Sequence, residues 1–304
     1  MTTLNVIFTI DERFLQHFSV TLFSLLENNK DLRIRAFVIH NIEKEAALDR
    51  LRETADLVAE KYNASLEVVF FNDSVFDHYK VAPQFSKTVY YRLLITELVP
   101  QDIDKILFLD SDIVVTGSLK ELATMEFKYL AAVQDFYGDT VADTLNALGF
   151  PVKKYFNAGV LLIDVKTWRE ENISAKLIEL ADEYMNRIAW WDQDILNMYF
   201  HDKWHVLPGK YNALFLNEKL PETPLIIHYG GTHKPWMYTH DHPYKSLYWK
   251  YIRLTPFKDA RYPDYSPKEV MRKGYIKMLN LFGLRNAGKH KRPTEEPQNK
   301  KVLQ

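Results

Sequence analysis

For its first hundred residues the chain alternates between apolar runs of strand length and stretches with helical spacing. The β-branched and aromatic run Val6-Ile7-Phe8-Thr9 gives way to Asp11 and Glu12, and then to Phe18, Leu22, Leu25 and Leu26, which recur as on one helix face. Residues 34–39 repeat the strand pattern, 43–62 form a charged helix, and 66–71 predict a third strand. A helix over 86–98 leads into Ile106-Leu107-Phe108-Leu109, apolar at every position. Strands separated by helices predict an α/β domain with a parallel, doubly wound sheet, and such sheets bind ligands beyond the carboxyl ends of their strands. The loops at Asp11 and Asp110 are therefore expected to open onto one crevice. Farther on the pattern is less regular: 129–133 and 157–165 read as strands and 173–185 as a helix.

Near the end, Ser266-Pro267 starts a helix whose Met271, Tyr275, Met278, Leu279 and Phe282 share one face. Lys268, Arg272, Lys273 and Lys277 lie mostly elsewhere on it, and Arg285, Lys289, Lys291 and Arg292 follow. The formal net charge of the 304 residues is only −1, but from Ser266 onward ten Lys or Arg face three Glu, so a basic tail hangs from an acidic body. The expected division is a catalytic-size domain over 1–256 and a basic amphipathic tail over 257–304, disordered from about residue 293. Such a helix suits an anionic membrane surface, or its apolar face packs on the domain; the two readings stand even. No nucleic-acid recognition motif accompanies the charge, so no nucleic acid is expected as a partner. Cysteine is absent, which excludes disulfides and thiolate metal sites. Without a signal-like start or a run of about 18 apolar residues, the expected location is cytoplasmic, at most peripheral on the cytoplasmic face of a membrane. Neither G-x-G-x-x-G nor a Walker pattern occurs, which argues against a dinucleotide-dependent oxidoreductase.

The chemistry-bearing residues gather in four segments. Asp110 and Asp112 end the apolar run with Ser111 between them, and an Asp-x-Asp at a strand end can chelate a divalent ion and present it to a diphosphate. His228 closes the apolar run Leu225-Ile226-Ile227, and mixed carboxylate and imidazole ligation suits Mn²⁺ better than Ca²⁺. Taken singly, the Asp pair is more often a solvated turn and the histidine a hydrogen-bonded structural one. Lys234 follows across Gly230-Gly231, whose backbone N–H groups can approach phosphate. The remaining segments are Tyr155-Phe156-Asn157-Ala158-Gly159 and Asp192-Gln193-Asp194-Ile195-Leu196-Asn197, the latter opening a helix that Asp192 or Asp194 could cap.

In this order the segments resemble family 8 of the retaining glycosyltransferases, which includes glycogenin and the bacterial lipooligosaccharide galactosyltransferases. The resemblance runs from the first strand to about Trp236. It implies a single nucleotide-sugar transferase domain of the GT-A, Rossmann-like type with a mostly parallel central sheet. It further implies Asp110, Asp112 and His228 as ligands of Mn²⁺, with Mg²⁺ as second choice. In the donor site, Thr9 and Asp11 would contact the uridine end, Ser111 the ribose, Gly231 and Lys234 the diphosphate, and Arg92 would bridge toward the sugar. Asn157, Ala158, Asp192, Gln193 and Asp194 would line the hexose, whose hydroxyls need fixed polar partners. Asp135 would face the acceptor, in the less regular half of the chain, with Tyr137, Trp190 and Trp191 as stacking surfaces or as core.

The implied activity is metal-dependent transfer of glucose or galactose from a UDP-sugar, with retention, to a glycan, glycolipid or glycoprotein. Gln193 is expected below the anomeric carbon, where a neutral amide is a poor nucleophile, which favours a same-face displacement; Asp192 is the alternative nucleophile. Two competing functions are a nucleotide-sugar-binding protein without turnover and a membrane or nucleic-acid adaptor built on the basic tail.

Overall fold

The computed structural model describes residues 1–81, 86–214 and 216–281. The first half follows the apolar pattern closely: β1 (Thr3–Ile10), α1 (Leu15–Asn28), β2 (Arg33–His40), α2 (Glu45–Lys61) and β3 (Ala64–Phe70). After α3 (Ile95–Leu98) come β4 (Lys105–Leu109), β5 (Ile113–Val115), α4 (Lys120–Thr124) and β6 (Leu130–Gln134). Then follow α5 (Gly138–Ala147), β7 (Phe156–Asp164), α6 (Val165–Glu170), α7 (Ile173–Tyr184) and α8 (Trp191–Phe200). The chain continues with β8 (Trp204–Val206), β9 (Ile226–His228), α9 (Lys245–Ile252) and α10 (Pro267–Leu281).

Seven strands form one mixed sheet in the order β3-β2-β1-β4-β7-β6-β8. The first four pair in parallel, β7 runs antiparallel to both β4 and β6, and β8 is parallel to β6. β1 pairs with β2 on one side and β4 on the other, so the sequence runs outward from their junction in opposite directions. That is the switch point where ligands bind in such sheets, and Asp11 and Asp110 follow the two strands directly. From Ile106 to Leu109 β4 is apolar at every position because both its faces are covered: Ile106 and Phe108 enter one core layer, Leu107 and Leu109 the other. At the far edge, β3 leaves Val68 and Phe70 exposed.

Two features depart from the sequence pattern. The helix expected over 86–98 is a 3₁₀ helix at Lys87–Leu94 before α3 takes over. Its Thr-Val-Tyr-Tyr run is β-branched and aromatic and loses rotamer freedom in a regular α-helix. The tighter turn also lets Arg92 Nε donate to Val89 O, three residues back, at 3.2 Å. The second feature is a separate antiparallel pair, β5 with β9, three residues each, which sets Ile113 opposite His228. Two hydroxyls of α1 fix this pair: Thr21 Oγ1 donates to Ser111 O at 3.0 Å and Ile113 O at 2.8 Å, while Ser24 Oγ accepts from Val115 N at 2.9 Å. Short apolar runs of this length carry no period, which is why the pattern did not announce them.

Beyond α9, Phe257 packs against the core and Asp264 accepts from the N–H groups of Tyr238 and Thr239. α10 begins at Pro267 as expected and ties to the body through Lys273, whose ammonium lies 2.6 Å from Asp241 Oδ1 and 5.0 Å from the centre of the Tyr238 ring. Met271, Tyr275 and Met278 remain exposed. Phe282, the basic residues Arg285, Lys289, Lys291 and Arg292, the side chain of Lys277 and the stretch expected to be disordered lie outside the described residues.

Candidate active site

Asp110 and Asp112 stand on the turn between β4 and β5, and the β5–β9 pairing carries His228 to them from more than a hundred residues away. One ligand atom from each of the three can be chosen so that all lie within 4.8 Å of one another. His228 Nε2 is 3.2 Å from Asp112 Oδ1 and 3.7 Å from Asp110 Oδ2. Backbone bonds lock the approach: Tyr229 N donates to Asp112 O and Asp110 N to Gly159 O. Gly159 is small by necessity, since a methyl there would lie 2.3 Å from His228 Cε1 and 2.7 Å from Asp110 Oδ2. Lys234 Nζ donates to Asp112 Oδ2 at 2.5 Å and to Tyr229 O at 2.8 Å. Burial works against ionisation of Asp112, but the Lys234 ammonium overcomes it and holds that carboxyl well below the usual carboxylate range.

Arg92 is the second organising group. Its buried guanidinium pairs with Asp110 Oδ1 at 2.9 Å and Asp192 Oδ2 at 3.0 Å, donates to Ala158 O at 2.5 Å and lies 4.3 Å over the Phe108 ring. Burial raises the Asp192 carboxyl to about 7 against the pull of Arg92, with Asp110 adding to the rise.

A polar chain extends from this centre. Asn157 Nδ2 donates to Asp135 Oδ2 at 3.0 Å and Gln193 Oε1 at 3.3 Å, and Ala158 N donates to the same Gln193 oxygen at 2.9 Å. Gln193 Nε2 meets Tyr155 Oη at 3.1 Å, and that hydroxyl donates to Asp194 Oδ1 at 2.7 Å. The sheet thus brings together Arg92, Asp110, Asp112, Asn157, Asp192, Gln193, His228 and Lys234, with Asp135 at the margin. Thr9 and Asp11 lie one strand over, where Asp11 Oδ1 accepts from Phe14 N to cap a short 3₁₀ helix and Oδ2 pairs with Arg13 at 2.8 Å. Gly231 is exposed and adopts φ +74°, a left-handed turn that favours glycine.

Two of the residues expected to line the hexose are engaged by the chain itself. Asp194 is 1% exposed, and besides Tyr155 its Oδ2 accepts from Ala189 N and Trp190 N, so it holds the turn into α8 from beneath. That turn needs support because Trp191 sits at φ +40°, a costly backbone state for a bulky residue. Ala158 is buried with both backbone groups engaged. Ser111 Oγ, by contrast, is buried without a hydrogen-bond partner among the described residues, an orphan group of the sort a ligand hydroxyl can satisfy. Sequence reasoning missed Asn212, whose Oδ1 lies 2.9 Å from His228 Nδ1, and the support from Tyr155; a lone Asn in a loop gives no periodic or motif signal.

Residues 5–240 match the family model described as Glycosyl transferase family 8. The chain belongs to that family. It is accordingly a glycosyltransferase, and its fold is of the GT-A type. General stress protein A of Bacillus subtilis (strain 168) is 26% identical over 282 residues, covering 86% of this chain and 96% of that protein. A lipopolysaccharide 1,2-glucosyltransferase of Escherichia coli is 27% identical, covering 91% of this chain and 86% of its own. The galactosyltransferase LgtC, solved in complex with donor and acceptor sugar analogs, superposes with a TM-score of 0.74 over 89% of this chain and all of its own, at 23% identity, a likeness of fold. GT-A glycosyltransferases typically use a divalent metal. Two carboxylates, one imidazole nitrogen and the methyl-free cradle at Gly159 fit such an ion.

Proposed function

We propose that this family 8 glycosyltransferase transfers glucose or galactose from a UDP-sugar to a carbohydrate-bearing acceptor (a glycan, glycolipid or glycoprotein), with retention at the anomeric carbon. Asp110, Asp112 and His228 hold Mn²⁺, or Mg²⁺ in its place, which when bound offsets the charge that grows on the leaving diphosphate. The observation that carries the reading is the convergence of those three ligands with Arg92, which bridges Asp110 on the metal side to Asp192 on the sugar side. Lys234 exchanges its contact with Asp112 for the diphosphate, Ser111 takes a ribose hydroxyl, and Thr9 and Asp11 receive the uridine end. The relatives named above support a glucosyl or galactosyl donor.

The Gln193 carbonyl oxygen already faces two donors, Ala158 N and Asn157 Nδ2, which suits it to a fixed dipole more than to bond formation. Asp192 is buried in its pair with Arg92 and is equally unsuited to attack. We therefore favour same-face displacement: the bond from the anomeric carbon to the phosphate oxygen breaks, the acceptor hydroxyl bonds to that carbon, and its proton passes to the departing phosphate. Gln193 stabilises the cationic sugar between these events, and Asp135 orients the acceptor hydroxyl. Release of UDP from UDP-glucose and UDP-galactose, each with Mn²⁺ or EDTA, tests the reading. Metal-dependent release from one donor is expected; equal release in EDTA would overturn it.

We also propose that the protein is peripheral on the cytoplasmic face of a membrane, with the body over 1–256 and the attachment in 257–304. The exposed Met271, Tyr275 and Met278 on α10, amid the basic charge of that segment, support this. No helix among the described residues is long and apolar enough to cross a bilayer.

A further inference from the structure

His228 reaches the ligand cluster through a chain of side-chain amides whose donor and acceptor ends are each fixed by the backbone. Gly159 N donates to Asn157 Oδ1 at 3.0 Å, so that atom is the oxygen, and Asn157 Nδ2 points the other way, to Asp135 and Gln193. Asn212 Nδ2 donates to the same Asn157 oxygen at 2.8 Å. Asn212 therefore turns its own oxygen toward His228 Nδ1 at 2.9 Å, and only a protonated Nδ1 can donate to it. In a neutral imidazole the proton on Nδ1 leaves Nε2 with a free lone pair, and Nε2 is the nitrogen that faces Asp110 and Asp112. Asn212 is 3% exposed and His228 5%, so bulk water does not compete for this bond.

The chain path makes the placement rigid. Asn212 follows the 3₁₀ turn Gly209–Tyr211, whose Tyr211 is buried, and the next residue, Ala213, bridges to β9. Ala213 N donates to Ile226 O and His228 N to Ala213 O, both at 3.0 Å. The side chain of residue 212 is thereby held beside the histidine it faces.

We propose that Asn212 is a positioning residue that fixes His228 as its Nδ1–H tautomer, aims Nε2 at a divalent cation, and through Asn157 ties the metal ligands to Asp135 and Gln193. This rests on the metal reading above. Outer partners of ligating histidines set ring orientation, and their loss typically lowers metal affinity about 10- to 100-fold. Asn212→Ala removes the acceptor, whereas Asn212→Asp keeps an acceptor for Nδ1–H, loses the donation to Asn157 and adds a negative charge beside the ring.

The experiment uses the full chain, with ¹⁵N-labelled histidine, in two parts. Long-range ¹H–¹⁵N spectra of the metal-free protein read the His228 tautomer directly, with His228→Gln providing the assignment. Calorimetric titration with Mn²⁺ alone then compares the unaltered chain with both variants, each first checked for folding by circular dichroism. The expected result is a proton on Nδ1, with or without a second on Nε2 beside the two carboxylates of the metal-free site, an affinity about 10- to 100-fold weaker in Asn212→Ala, and recovery to within about threefold in Asn212→Asp. An Nε2–H tautomer overturns the proposal, and that measurement needs no variant to fold. Undiminished affinity in Asn212→Ala, or equal loss in both variants, also overturns it. Failure of the unaltered chain to bind Mn²⁺ overturns the metal reading itself.

Discussion

Gly159→Ala is the smallest change that reaches the proposed metal site without touching a ligand. The added methyl would lie 2.3 Å from His228 Cε1, 2.9 Å from His228 Nδ1 and 2.7 Å from Asp110 Oδ2. Carbon atoms rest at about 3.5–4.0 Å, so the imidazole must retreat by more than about 1 Å or the β7 backbone must move instead. Metal–ligand distances tolerate only about 0.2 Å, and a retreat of that size removes His228 from coordination. Outer partners of ligands are worth about 10- to 100-fold in affinity, so the loss of a ligand is expected to cost at least about 100-fold, or ~2.7 kcal/mol. The strain itself costs about 1–3 kcal/mol of stability, as overpacking usually does. Calorimetric titration of Mn²⁺ into both proteins at equal concentration measures the first term, and urea unfolding the second. Gly209→Ala serves as control, because no atom lies within 4 Å of a methyl there. An affinity for Mn²⁺ within about threefold of the unaltered chain, at undiminished stability, would refute the steric argument.

Three further outcomes follow from the same geometry. Arg92→Met removes the cation shared by Asp110 and Asp192 and is expected to destabilise the fold by about 3–5 kcal/mol, the usual cost of stranding a buried charge; urea unfolding checks it, and a change under 1 kcal/mol (about a fivefold shift in the folding equilibrium) would contradict the pairing. Burial lowers the His17 pKa from 6.5 to about 3, with Lys234 adding to the drop and Asp112 opposing it, while the ring stacks on Trp236 and meets Tyr248 Oη at 2.8 Å. A depressed histidine contributes stability that is present above pH 6.5 and is lost as pH falls, because only the unfolded chain takes up the proton. From pH 7 to pH 5 the loss is about 2 kcal/mol, and His17→Gln should flatten that slope of unfolding free energy against pH. Met271→Glu with Met278→Glu should release the protein from vesicles containing anionic lipid in a sedimentation assay; retention would argue against α10 as the attachment.

What the sequence made legible follows from periodicity and from ligand chemistry. β1 to β3 with α1 and α2 rest on runs long enough to read as strand and helix, and Asp110 and Asp112 follow the run 106–109 that no polar residue interrupts. The family resemblance brought His228 and Lys234 into the same site, and the β5–β9 pairing gives the physical route by which they arrive. Less legible was anything decided by hydrogen-bond partners. Asp194 reads as a sugar contact by type, and no pattern in the sequence announces the three donors of its own chain that it accepts from. Asn212 reads as nothing in particular, yet it is the atom-level reason His228 presents one nitrogen and not the other. The apolar face of α10 was readable from spacing, whereas the ion pair that ties the helix to the body joins Lys273 to Asp241, two residues that no local pattern connects.

In the proposed function, Asp110, Asp112 and His228 hold a divalent cation that anchors the nucleotide diphosphate of the donor. Calorimetric titration of UDP into the full chain, with Mn²⁺ and with EDTA, tests it most directly, since it requires neither the acceptor nor the identity of the sugar. Binding with Mn²⁺ is expected to weaken at least about 100-fold in EDTA, with the same loss for Asp112→Asn at fixed Mn²⁺. Equal UDP affinity with and without the metal, or an Asp112→Asn protein that binds as the unaltered chain does, would contradict it.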